Sequence, residues 1–92
     1  MQRESAQIVA LQVLGWLAAD DEMFQSFLGA TGAGPSDVAM RAEDAEFHAA
    51  ILDFLLLNDA WVVSFCDAVG LPYTVPMSAR VVLHGDAQMD WT

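Results

Sequence analysis

The chain contains no lysine and only three arginines, against thirteen acidic residues, a formal charge of −10 over 92 residues. Such a shortage of cations repels phosphate backbones and anionic lipid headgroups, so neither nucleic acid nor a membrane surface is expected as a partner. The single cysteine, Cys66, excludes an internal disulfide. It lies in an apolar run and reads as a small core residue, in keeping with a reducing compartment. Runs long and apolar enough to span a bilayer are also missing. Ile8–Ala19 is short and interrupted by Gln12, and Phe47–Cys66 carries His48, Asp53, Asn58 and Asp59. The opening MQRESAQ lacks the basic-then-apolar order of a signal peptide. These absences together predict a soluble, cytoplasmic protein.

Apolar side chains, by contrast, are plentiful: 55% of residues are hydrophobic and 17% charged. A chain of this length forms one domain with a limited core, so part of that apolar material is left at the surface, where it marks an interface. The acidic excess keeps such a surface soluble.

The apolar residues recur with a helical period. Over 4–19, Val9, Ala10, Val13, Leu14, Trp16 and Leu17 share a broad face, while Ile8 and Leu11 fall among polar residues and are expected to be exposed. Asp20 or Asp21 caps a second helix carrying Phe24, Phe27 and Leu28 inward, and Gly32 stops it. Ser36 is expected to cap a short third helix, roughly 37–42. Asp44 caps a fourth, apolar nearly all round and running through Leu57, which predicts a central position. Asn58-Asp59 opens a fifth helix, 60–69, closed by Gly70. A sixth follows Thr74 to about His84, with Gly85 as its stop.

Two stretches say nearly the same thing. LGWLAADDEMFQSFLGATG, from Leu14, is matched without gaps by LDFLLLNDAWVVSFCDAVG, from Leu52. Leu14 pairs with Leu52, Leu17 with Leu55, Asp20 with Asn58, Phe27 with Phe65 and Gly32 with Gly70. The matched positions are those of a helix, a cap, a second helix and a stop. The expected fold is therefore all-α, a compact bundle of about five to six helices built from two tandem helical repeats, because one such unit cannot bury its apolar face alone. The domain spans 1–85, with repeat units of roughly 8–43 and 46–84, and 86–92 form a frayed tail.

Leu17, Asp21, Phe27, Leu28, Thr31, Gly32, Pro35 and Arg41, then Phe47, Ile51–Leu56, Asp59, Phe65 and Gly70–Pro72, give the segment 14–71 a recognisable pattern. It resembles a family of short bacterial proteins known only as a domain of unknown function. The chain departs from that pattern at Ala33-Gly34 and at Ala60. The resemblance implies an all-helical fold and brings no catalytic or binding residues with it.

Reactive constellations are scarce. Cys66 with His48 or His84 could be drawn as a nucleophile and base, but Cys66 sits inside a helix, where nothing lowers its pKa. Asp44 and His48, with Glu43 beside them, share a helix face but fall short of a metal site. The simpler reading pairs His48 with Asp44 across one turn. Arg80 and His84 have the same spacing and read as a solvated face. GATGAG has no following lysine and no preceding strand, so it is not a phosphate loop. Trp16 and Trp61 fall at core spacing. No enzymatic activity, cofactor or metal is expected.

What remains is an acidic helical module for binding protein, with a small apolar ligand held between the repeats as the alternative. An acidic decoy for a nucleic-acid-binding partner is a third reading. The interface candidates are Ile8, Leu11 and Val63, each apolar where the pattern asks for polar, and Trp91, a large apolar residue near the C-terminus. The expected partner is a second copy of the chain in a homodimer, or another protein.

Overall fold

In a computed structural model, which describes residues 1–88, six helices follow one another: α1 (Arg3–Ala18), α2 (Asp21–Thr31), α3 (Pro35–Met40), α4 (Ala45–Leu55), α5 (Asp59–Val69) and α6 (Val75–Gln88). No strand occurs among the described residues. The chain is an all-α bundle, as the helical periodicity predicts.

Local chemistry sets most of the boundaries. The Asp20 carboxylate accepts from the N–H groups of Glu22 and Met23 at 3.1 and 3.2 Å, and the Asn58 side chain accepts from Ala60 N–H at 2.9 Å. These caps satisfy amides that the first turn leaves without helical partners. At the other ends, Gly32 and Gly70 adopt φ of 72° and 75°, a left-handed conformation that costs other residues about 1–2 kcal/mol. α2 and α5 consequently have the same length and the same punctuation.

Three helices are bounded differently from the sequence reading. α3 begins at Pro35 rather than after Ser36, with Gly34 N–H donating to the Asp37 carboxylate at 2.9 Å. α4 ends at Leu55, and Leu57 is exposed. The chain bends by 110° between α4 and α5. α6 passes through Gly85 to Gln88, so residues 86–88 are helical rather than part of a tail. Glycine inside a helix costs only about 1 kcal/mol, which neighbouring turns can absorb.

α4 lies in the middle, packed on α1, α2, α5 and α6. The most extensive single helix contact is between α1 and α6. The two proposed units are thus unlike in their third element: α3 has six residues and α6 fourteen. Ala6, Ala10, Val13 and Leu17 from α1 meet Ile51, Leu52 and Leu55 from α4 and Ala79 from α6, all without solvent exposure. The alanines on α1 and α6 let these helix backbones approach closely. Leu14, expected in the core, is only part-buried, while its counterpart Leu52 is fully enclosed.

A cluster of rings fills the α2–α4 side. Phe27 stands between Phe54 at 5.5 Å (edge-on), Phe47 at 5.8 Å and Phe24 at 6.5 Å; Phe54 also stacks on Trp61 at 5.1 Å. Trp16 meets Phe65 edge-on at 6.0 Å, joining α1 to α5. Cys66 is buried as predicted, its S–H directed at the Pro72 carbonyl at 3.5 Å. Burial, and then the neighbouring Asp67 carboxylate, push its thiol pKa above the usual value.

Candidate functional site

α1 is apolar on two opposite faces. Val9, Ala10, Val13 and Leu17 point into the bundle. On the outer side, Glu4, Ile8, Leu11, Gly15 and Ala18 succeed one another at alternating spacings of four and three residues, and all are exposed. That is the spacing of a helix-pairing seam. Ile8 retains 59% of its surface and Leu11 43%. At Gly15 a β-carbon would find no atom within 4 Å, so another backbone could come close there.

Beside this seam runs an open groove of about 390 Å³, lined by Glu4, Gln7, Ile8 and Leu11 of α1 and by Ala42, Glu43 and His48 across from them. The far wall is built by the turn between α3 and α4. Asp44 N–H donates to the Arg41 carbonyl at 2.9 Å, and the Asp44 carboxylate caps α4 at Glu46 N–H, also at 2.9 Å. Arg41 lies 3.8 Å from the Asp44 carboxylate and 5.0 Å from the centre of the Phe47 ring, which clips the turn onto α4.

His48 is 2% exposed. Its Nε2 lies 2.6 Å from the Ala42 carbonyl. A carbonyl only accepts, so this bond puts a proton on Nε2. Nδ1 is buried and has no hydrogen-bond partner among the described residues. The predicted side-chain pairing of His48 with Asp44 does not occur: Asp44 is occupied with the helix cap and Arg41, and the imidazole turns to the backbone instead.

The other candidates lie apart. Val63 is on α5, 39% exposed, and does not line the groove. Trp91 lies outside the described residues, as does the side chain of His84. Arg80 is not on a free face; its guanidinium binds the Asp53 carboxylate of α4. Among the described residues, no three of His, Cys, Asp and Glu gather closely enough to hold a metal ion. No single described helix is long and apolar enough to cross a membrane, although the sharply bent pair α4 and α5 reaches that length and composition jointly. The exposure of Ile8 and Leu11 follows from their misplacement on the wheel; the groove does not, because its second wall is a turn that no periodicity marks.

A family model described as "Protein of unknown function (DUF3572)" matches residues 3–86, spanning all but the first residues and the last few. The chain belongs to this family. No curated protein and no solved structure matches it.

Proposed function

We propose that the protein is a non-catalytic interaction module that docks another protein on the outer face of α1. The supporting observation is the exposed seam of Ile8 and Leu11 beside a groove, on a helix whose opposite face already belongs to the core. Apolar residues scattered singly need no explanation, whereas two on adjacent turns, bordering a groove, form a place for a side chain to enter. On this reading the module works in the cytoplasm, where the thiol of Cys66 stays reduced. Descent from a duplicated helical unit is part of the same reading, supported by the matched caps and stops of α2 and α5.

The test is capture from the native host with the intact chain and with Ile8→Glu as baits. The substitution is at an exposed position and should leave the helical circular dichroism unchanged. Partners retained by the intact chain and lost by the variant are expected; equal capture by both would refute docking on α1.

A second reading, pairing of two copies through the same seam, is favoured by its heptad spacing, which two α1 helices could share across a twofold axis. Sedimentation equilibrium at moderate salt should then give a dimer mass that Ile8→Glu returns to monomer. The volume of the groove falls in the range of small-ligand sites, but its carboxylate rim disfavours a purely apolar occupant.

A further inference from the structure

Resting on the reading of α1 as a docking face, we infer that its occupant is a basic amphipathic helix, which places a lysine or arginine side chain in the groove between Glu4 and Glu43. Three observations converge on this chemistry.

The first is the character of the groove's polar groups. Glu4 on one wall and Glu43 on the other are exposed carboxylates, which only accept hydrogen bonds. His48, in the same lining, has its Nε2–H committed to the Ala42 carbonyl, and its buried Nδ1 has no partner among the described residues. Among the described residues, no lysine or arginine lines the groove. An occupant rich in N–H donors and positively charged complements it, and a carboxylate or phosphate does not.

The second is the apolar part. Ile8 and Leu11 lie along the same groove as the two carboxylates. Long cationic side chains bury a methylene stem on apolar surface while the charged head reaches polar groups, so this combination suits lysine and arginine better than a compact metal or ammonium ion.

The third is where the cation would come from. The chain has three arginines and no lysine. Arg41 is engaged by Asp44 and Phe47, Arg80 by Asp53, and Arg3 also has a partner. A second copy therefore brings three arginines that already have partners and a further charge of −10. A separate, basic protein is drawn to the groove by the same field that repels a copy.

The seam decides the form of the partner. Ile8, Leu11, Gly15 and Ala18 continue along one stripe of α1, with open space over Gly15, and such a stripe receives a helix laid along it.

The experiment uses the full ¹⁵N-labelled chain and two synthetic peptides of about 18 residues, long enough to form helix. Both carry leucines at heptad spacing. One has arginines flanking the leucine stripe, and the other has glutamines in their place. The arginine peptide should shift the amide signals of Ile8, Leu11 and Glu43 saturably, and bind more tightly than the glutamine peptide. The double variant Glu4→Gln with Glu43→Gln should weaken the arginine peptide about two- to thirtyfold, as expected for two exposed ion pairs, and leave the glutamine peptide unchanged. Equal affinity of both peptides at the groove would overturn the basic occupant while leaving docking on α1 intact. Shifts spread over the whole acidic surface, unaltered in the double variant, would overturn it as well. Groove signals that move only with the concentration of the chain itself would assign the site to a second copy. Groove signals unmoved by either peptide would overturn the inference and remove support for α1 as the docking face.

Discussion

Replacing Phe27 by alanine tests the packing of this bundle most directly. The ring has no solvent exposure and touches three other aromatic rings, from α2 and α4. A buried aromatic side chain removes about 150–250 Å² from water, worth about 4–6 kcal/mol at ~25 cal/mol per Å², of which alanine keeps a part. Each favourable ring pair adds about 0.5–1.5 kcal/mol, while partial collapse of the cavity returns some of the loss, so about 3–5 kcal/mol is expected. A domain of this length is stable by roughly 5–14 kcal/mol, so the variant sits near the edge of folding. Urea unfolding, followed both by helical circular dichroism and by tryptophan fluorescence, measures the change directly. The unfolding temperature should fall by more than ~12 °C. Phe24→Ala, at a half-buried ring of the same cluster, should cost clearly less. A loss at Phe27 below ~1.5 kcal/mol would mean that the ring cluster does not join α2 to α4 in solution.

Leu52→Ala should destabilise by about 2–5 kcal/mol and Leu14→Ala by markedly less, because the sequence-equivalent leucines differ in burial; equal losses in urea would contradict the arrangement of α1 and α4. Tyr73, the only tyrosine, donates its hydroxyl to the Asp67 carboxylate at 2.7 Å, and this bond, with the carboxylate's charge, raises its pKa above 10.0. The protonated phenol is the bonded form, so its contribution to stability is present below the unfolded pKa and is lost as pH rises through the folded one. An ultraviolet titration of the phenolate should have its midpoint above that of the urea-unfolded chain, and Asp67→Ala should bring the two together; a native midpoint at or below the unfolded one would refute the contact. Cys66, the only thiol, should react with a disulfide reagent far more slowly in the native chain than in urea, since it is both buried and held protonated; native labelling at the unfolded rate would place it at the surface.

The elements that could be read from the sequence are those whose causes are local. Asp20 and Asn58 bond amides two or three residues away, and Gly32 and Gly70 are needed where the backbone turns left-handed, so α2 and α5 are written in the residues that bound them. The inner and outer faces of α1 follow in the same way from a period of 3.6 residues, which separates Ile8 and Leu11 from Val9, Val13 and Leu17. The remaining features depend on residues brought together from far apart. Arg80 and Asp53 are twenty-seven positions distant in sequence and meet only because α6 lies against α4. His48 prefers the Ala42 carbonyl to Asp44 because the turn through Arg41 presents that oxygen while capping removes the carboxylate. Leu14 and Leu52 are equivalent in pattern, yet only Leu52 sits on the helix that α1, α2, α5 and α6 all pack against. The groove belongs to this second class. One wall is legible as the misplaced Ile8 and Leu11 of α1, and the other exists only once the α3–α4 turn has packed opposite them, because a concavity is a relation between two surfaces and has no periodicity of its own.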